Sequence, residues 1–394
     1  MLRVPLFLAG IVLSFPAFPA MAADEPPDAS TTAAQGGEVV FGQSAALTGP
    51  ASELGTEMRL GLMSAFAEVN AKGGVHGRHL VLRSLDDAYE PEAAVANTRE
   101  LIDEHDVFAL VGAVGTPTSR AAQPVTSDAG VPYIAPFTGA EFLRDAEEQS
   151  NVVNVRASYF QETAEIVARL TQDLGITKIG ILYQDDSYGR AGLAGVRRAL
   201  DARGLPLVVE ANYPRNTEIV KRALLDLRRF APEAVVIIGA YQPAATLIRW
   251  ARKVGFEPIF VNISFVGTSA LVEELGADGA GVYITQVVPF PEDIRVPVVD
   301  HYQKALAASA PGAAPGFVSL EGYLAGRLVA EGLRIAGAGA TREAFLDGLR
   351  HAPPIDLGGF ELEYGMDDNQ GSDRVYLTVI DANGDVVPAQ RMVP

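Results

Sequence analysis

The sequence predicts an α/β protein in two halves, each a parallel sheet flanked by helices, and three observations carry that prediction. Short β-branched runs alternate with helical stretches, the alternation is interrupted once and resumes, and the strand candidates end in loops rich in Gly, Ser, Thr or Tyr and poor in Lys and Arg. At 394 residues the chain is long enough for two domains. Hydrophobic residues make up 48% and charged residues 20%, with mean hydropathy +0.15, which describes a globular chain rather than a disordered one. A formal charge of -18 offers no basic surface to displace counterions, so no nucleic acid partner is expected.

The first element, MLRVPLFLAGIVLSFPAFPAMAADE, has an early Arg3, an apolar stretch and then Ala20-Met21-Ala22 in the A-x-A pattern of signal cleavage. It predicts a signal peptide over residues 1–22, removed near Ala22 or Ala23. A membrane anchor is the alternative, but Pro5, Pro16 and Pro19 interrupt a run already short for a span of roughly 20 apolar residues. The chain has no cysteine, which excludes disulfides, thiolate catalysis, cysteine-based zinc sites and a lipidated N-terminal cysteine. The expected location is the periplasm. Residues 23–37, rich in Pro, Ala, Thr and Gly, read as a flexible leader.

Regular alternation follows. EVVFGQSAAL, HLVLRSL, VFALVG and VPYIAP read as strands, with helices over Glu57–Lys72, Pro91–Glu104 and Ser119–Ala129. After VVNVRAS the pattern resumes with strands KIGILYQ, LVVEANY, AVVIIG, PIFVNIS and GVYITQ. The helices between them run Phe160–Leu174, Ala191–Arg203, Thr217–Phe230, Pro243–Val254 and Ala270–Leu275. Helices near Ile294–Ala308, Leu320–Ala336 and Arg342–Leu349, then strands FELEY and VYLTVI, must complete sheets begun earlier.

Ligands of open parallel sheets bind outside the carboxyl ends of strands, so those loops hold the candidate chemistry. GAVGTPTSR lacks the lysine of a phosphate-binding loop and the spacing of a dinucleotide fingerprint. Thr116 is placed to cap a helix with Pro117 at its first position, leaving amides and the hydroxyls of Thr118 and Ser119 for a carboxylate or amide oxygen; ordinary capping is the competing reading. APFTGAEF presents Thr138 and Gly139 before Glu141, and YQDDSYG sets Tyr188 beside Gly189, with Asp186 and Ser187 fit for capping. Tyr133, Phe137, Tyr159, Phe160, Tyr241 and Phe265 are aromatic candidates for a pocket wall or for core. Asp86 and Asp87 read as a solvated turn rather than an acid/base pair. No nucleophile elbow, H-E-x-x-H helix or EF-hand loop occurs in the sequence, so no enzyme and no cofactor are expected.

Taken together, SAALTGPASELGTEMRLGLMSAFAEVNAKGGVHGRHL, DDAYEPEAAVANTRELI, GAVGTPTS, AGVPYIAPFTGAEFLR and ILYQDDSYGRAG resemble, in this order, the leucine/isoleucine/valine-binding protein family of periplasmic solute receptors. These are type I binding proteins for ABC importers, and the similarity runs from about Val39 to Ile380. The resemblance implies two Rossmann-like lobes joined by three crossovers, near Arg156, near Gln286 and before Val375, with a small solute enclosed between them. It divides the chain into lobe 1, residues 38–155 plus 287–362, and lobe 2, residues 156–286 plus 363–394.

By the same resemblance, Thr116, Thr118, Ser119 and Thr138 hold the ligand carboxylate, with further contacts from Tyr188 and Tyr241; Gly139 joins the candidate site through the accessible amide its loop presents. Relatives that take α-amino acids place a carboxylate on the loop reading NISFVG, or after the first crossover at RASYFQ; here Ser264, beside Phe265, and Tyr159 stand there instead. Either another acid serves the ammonium, with Glu141, Asp185, Glu162 and Glu321 as candidates, or the ligand has none. The partners implied are a small-molecule solute and ABC permease subunits in the inner membrane, for a monomeric receptor. A sensory role, with the same clamshell feeding a membrane histidine kinase or regulator, is the alternative.

Overall fold

The computed structural model describes residue 2 and residues 37–393, so the expected signal segment and leader lie outside the described residues apart from Leu2 and Gly37. A first α/β unit comprises β1 (Glu38–Ala45), α1 (Ser52–Ala71), β2 (His79–Asp86), α2 (Pro91–Asp103), β3 (Ala109–Val111), α3 (Thr116–Asp128), β4 (Tyr133–Ile134) and β5 (Val152–Val153). Its strands pair in parallel in the order β2-β1-β3-β4-β5. Every residue of β3 is buried, as a central strand covered on both faces requires.

The second unit runs through α4 (Tyr159–Leu174), β6 (Ile179–Gln184), α5 (Ser187–Asp201), β7 (Leu207–Tyr213), α6 (Lys221–Phe230), β8 (Ala234–Ile238), α7 (Tyr241–Lys253), β9 (Ile259–Asn262), α8 (Thr268–Leu275) and β10 (Tyr283–Gln286). The same winding recurs there, β7-β6-β8-β9-β10, all parallel. Strand order therefore reverses between β1 and β3 and again between β6 and β8, and each reversal opens a crevice at the carboxyl ends of the strands.

The late elements do complete earlier layers. α9 (Pro297–Ser309), α10 (Phe317–Ala336) and α11 (Arg342–His351) return to the first lobe. There α10 lies so close to α1 that a Cβ on Gly61 would meet the Ser319 carbonyl at 1.9 Å. β11 (Ile355–Asp356) and β12 (Glu361–Leu362) pair with each other, while β13 (Tyr376–Ile380) and β14 (Val386–Ala389) extend the second sheet in antiparallel sense. The sequence predicted β12 and β13 but not β11 and β14, which have only two and four residues and take their partners from the hairpins they close.

Several helices begin earlier than their apolar periodicity predicts. α1 starts at Ser52 rather than Glu57, α3 at Thr116 rather than Ser119, and α7 at Tyr241 rather than Pro243, because small and hydroxyl residues that read as loop form first helical turns. The chain passes between lobes after β5, after β10 and before β13. The first and third of these passages are tied together at Asn154, whose amide donates to the Asn369 carbonyl at 2.7 Å and whose carbonyl accepts from Gly371 at 2.9 Å.

Candidate functional site

The carboxyl end of β3 delivers the chain into α3, and there the local chemistry differs from the sequence reading. Gly115, not Thr116, is the helix N-cap, with φ +105, and Thr116 is already helical. Only glycine fits, since a Cβ there would lie 2.2 Å from the Tyr89 ring. Thr116 Oγ1 sits 2.7 Å from Thr138 Oγ1, and the Thr138 hydroxyl donates to Tyr159 OH at 3.3 Å. Three elements thus contribute to one buried hydroxyl chain. Gly139 lies directly under it, because a Cβ there would come within 2.5 Å of the Tyr159 ring.

Thr118 and Ser119 are buried beside this chain but are engaged locally. The Thr118 hydroxyl donates to the carbonyls of Val114 and Gly115, and Ser119 Oγ accepts from Tyr133 OH at 3.0 Å. Tyr133 belongs to a separate core cluster with Leu101, Leu110 and Leu143.

Across the crevice, Asp186 caps α5 by accepting from the amides of Tyr188 and Gly189, so the capping role read from the sequence is the one the structure displays. That cap aims Tyr188 inward, where its ring centroid lies 5.6 Å from Tyr159 and 4.6 Å from Phe265. Phe265 follows β9 in a short 3-10 turn and stacks on Phe137 of the first lobe at 5.1 Å. Tyr241 stands apart, with its hydroxyl turned towards Ser52 and Glu53 at the start of α1.

Tyr89 is a member of this cluster that the sequence reading missed. Its ring centroid is 6.2 Å from Phe265, and its hydroxyl accepts from Gln184 Nε2 at 3.5 Å. Ala88 and Tyr89 both hold left-handed backbone, φ +48 and +63, a conformation costing L-residues roughly 1–2 kcal/mol each. Asp86 and Asp87 hold it in place. Asp86 accepts from the amides of Leu47 and Ala88, while Asp87, only 1% exposed, accepts from Ser44 Oγ and the Tyr89 amide. The solvated turn expected here therefore holds for the exposed Asp86, whereas Asp87 is a buried brace, and burial pushes its carboxyl up to about 6.

Beneath Phe137 and Tyr159 lies a buried charge cluster. Arg156, on the first crossover, has its guanidinium 4.9 Å from the Phe137 ring and 5.9 Å from that of Tyr159. Its Nη2 donates to Ser264 Oγ and reaches Glu162 at 3.3 Å, while Nη1 lies 3.6 Å from Glu321 on α10. Glu162 also accepts the Ser264 amide, the Ser264 hydroxyl and the Thr285 hydroxyl, at 2.8, 2.9 and 2.6 Å. Burial opposes the charge on Arg156, but Glu321 and Glu162 overcome it and hold the guanidinium above its ordinary range. Burial pushes Glu321 up to about 7 against the pull of Arg156, with Glu162 adding to the rise.

So a carboxylate does lie under Ser264, supplied by α4 rather than by the loop itself. Of the other acids considered, Asp185 is 52% exposed and pairs with Arg190 at 2.9 Å, outside the cluster. Glu141 lines a separate groove of about 440 Å³ with Arg144 and Arg198. A larger cavity, about 590 Å³ and bordered by Thr268, Gly316, Phe317 and Val386, contains none of the residues expected at the site. Solvent reaches the aromatic and hydroxyl groups hardly at all, because the two lobes meet over them. At their rim Glu90 accepts from Arg215 Nη2 at 2.6 Å and from Asn216 Nδ2 at 2.7 Å.

Comparisons with known proteins agree with this architecture. Residues 38–385 match a family model described as periplasmic binding protein. The Leu/Ile/Val-binding protein homolog 7 of Brucella abortus (strain 2308) is 28% identical over 230 residues, 56% of this chain and 57% of that protein. The matched region thus spans less than two thirds of that curated relative. Among solved structures, a possible leucine/isoleucine/valine-binding protein from Rhodopirellula baltica SH 1 is 37% identical, with a TM-score of 0.86 over 91% of this chain and 98% of that one. A substrate-binding periplasmic protein from Ralstonia solanacearum is 30% identical, with a TM-score of 0.84 over 89% of this chain and 100% of the other.

Proposed function

The chain belongs to the type I periplasmic binding proteins, in the leucine/isoleucine/valine-binding family, and from that membership we propose that it is a receptor for one small solute, an amino acid or a related amide or carboxylate, delivered to the permease subunits of an ABC importer. The observation that supports this reading is the hydroxyl chain that runs from Thr116 and Thr138 of the first lobe to Tyr159 of the second, beside the rings of Tyr188 and Phe265. Hydroxyls and helix amides recognise an oxygen-bearing head, and the aromatic rings cover an apolar body.

Residues 38–155 with 287–362 and residues 156–286 with 363–394 are the two moving bodies in this proposal. Solute bridges them, and its differential affinity for the closed arrangement shifts the population that the permease engages. Export through segment 1–22 places the receptor in the periplasm, and binding proceeds without chemical turnover.

A thermal-shift screen of amino acids, amides, ureas and short carboxylates on the mature protein tests the proposal. A true ligand at about 100 times its Kd adds about 2.7 kcal/mol of stability, which reads as a clear rise in Tm. A screen in which no compound raises Tm overturns the small-solute reading.

A further inference from the structure

We infer that the outer face of helices α6 and α7, at the end of lobe 2 remote from the crevice, docks on an anionic phospholipid surface, with Trp250 and Phe230 at the level of the headgroups and arginine and lysine side chains against the phosphates. This goes beyond the receptor reading and does not depend on which solute is bound.

Charge singles out this face. From residue 221 to residue 257 seven Lys/Arg stand against three Asp/Glu, whereas the chain as a whole has 31 against 49. The overall charge of -18 conceals that local surplus. Much of it is uncommitted. Lys221, Arg228, Arg229 and Lys253 are exposed and have no ion-pair partner among the described residues, and Arg222, with a side chain 95% exposed, reaches Asp226 only at 3.9 Å. Arg249 and Arg252 are engaged instead, donating to the carbonyls of Glu274 at 2.8 Å and Ala280 at 2.6 Å.

Large apolar side chains stand among these cations. Phe230 is 54% exposed and Trp250 38%, and Leu225 and Val254 are exposed as well. The helix dipole accounts for basic residues in a last helical turn, but it does not account for aromatic rings left in water beside them. Trp or Phe mixed with Lys and Arg suits the boundary of a bilayer, where rings sit among headgroups and cations meet phosphates.

The fold gathers these groups at one pole. Arg222, Leu225 and Arg229 recur at helical spacing along α6, as Trp250, Lys253 and Val254 do at the end of α7. Parallel pairing in the order β7-β6-β8-β9 carries both helices across the same face of the sheet, and the Thr246 hydroxyl of α7 donates to Glu218, just before α6, at 2.5 Å. Ala234 and Ile259, the first residues of β8 and β9, are register partners, so Phe230 and Val254 close their helices at the same end of the sheet. Lys178 is exposed there too, with Glu233 and Glu257 as opposing charges. At about 0.1 M salt, charges farther than about 10 Å from a surface are largely screened, so the surplus at this pole sets the attraction rather than the total for the chain. The crevice opens at the carboxyl ends of the strands and stays free when this pole is docked.

Trp250 is the one tryptophan of the chain, so its fluorescence reports on this face directly. The mature protein is mixed with vesicles of phosphatidylglycerol and phosphatidylethanolamine, and separately with vesicles of phosphatidylcholine, and binding is read by flotation and by Trp250 emission. The expected result is flotation with the anionic vesicles alone, emission moved to shorter wavelength, and loss of both at about 0.5 M salt. Arg229→Glu with Lys253→Glu should weaken binding at least about tenfold. Arg295→Glu with Lys304→Glu makes the same change in net charge at exposed positions of lobe 1 and should leave binding within about twofold.

No flotation with anionic vesicles overturns the inference and leaves the receptor reading in place. So does equal binding to phosphatidylcholine, equal weakening by the two double variants, or flotation with unchanged Trp250 emission. Binding only to vesicles that carry permease subunits would mean a protein contact and overturns lipid docking. The comparison of lipids and salt requires no variant, so the test survives if a variant folds poorly.

Discussion

Ser264 donates both its backbone amide and its hydroxyl to Glu162, at 2.8 and 2.9 Å, so the loop after β9 is held by a carboxylate from α4 that also pairs with Arg156. This one contact joins the turn after β9 to the first crossover. Removing the charge should cost far more than removing the hydroxyl. Glu162→Gln leaves a buried guanidinium short of its best partner, and about 3 kcal/mol of destabilisation is expected in urea unfolding. Ser264→Ala should cost only about 1 kcal/mol. A Glu162→Gln variant as stable as wild type would show that Glu321 alone balances Arg156.

Stability should fall as the solution moves from mildly acidic to neutral. Burial raises Glu321 to about 7 and Asp87 to about 6, so between ordinary carboxylate values and those limits the folded chain binds more protons than the unfolded one. The stabilising proton is fully present below the unfolded values and is lost as pH rises through the folded ones. Tm should therefore be higher at pH 5 than at pH 7.5, and Glu321→Gln should flatten the upper part of that slope. A profile that rises from pH 5 to pH 7.5 contradicts this.

The rim contact between Glu90 and Arg215 joins the lobes directly, with Asn216 as a second donor. Both side chains are partly exposed, so water screens the pair and its worth is modest. Arg215→Ala should weaken solute binding by about threefold, with a smaller salt dependence than wild type, and should raise the open fraction seen by small-angle scattering. Identical scattering and affinity in the two proteins would dismiss the pair as incidental.

Thr116 and Thr138 should matter to binding more than Thr118 does. The first two bond to each other and through Thr138 to Tyr159, whereas the Thr118 proton is committed to its own helix backbone. Thr116→Ala with Thr138→Ala should weaken the ligand found by screening at least tenfold while circular dichroism stays unchanged. Thr118→Ala should instead lower stability by about 1 kcal/mol with little change in affinity. The reverse pattern would move the binding wall along α3.

Much of this was legible in the order of residues. Short continuous apolar runs separated by helical stretches specify parallel βαβ winding, and strand ends rich in hydroxyls single out Thr116, Thr138, Tyr188 and Ser264. Arg156 and Tyr89 escaped as site candidates for different reasons. Arg156 lies in a crossover and reads as a boundary marker, although a lone arginine in a loop set poor in basic residues was an available signal. Tyr89 sits in DDAYEP, whose charges suggest solvent; nothing local announces that Ser44 and the Tyr89 amide would bury Asp87.

What the sequence determined alone is what short-range periodicity can encode: helix and strand identity, winding, and the loops that gather at one end of each sheet. Only the tertiary structure decided how charge is distributed there. Arg156, Glu162, Ser264 and Glu321 come from a crossover, two elements of one lobe and a helix of the other, up to 165 positions apart in the chain by their numbering. Their interaction depends on distance and burial in a low-dielectric interior, neither of which neighbouring residues along the chain can specify.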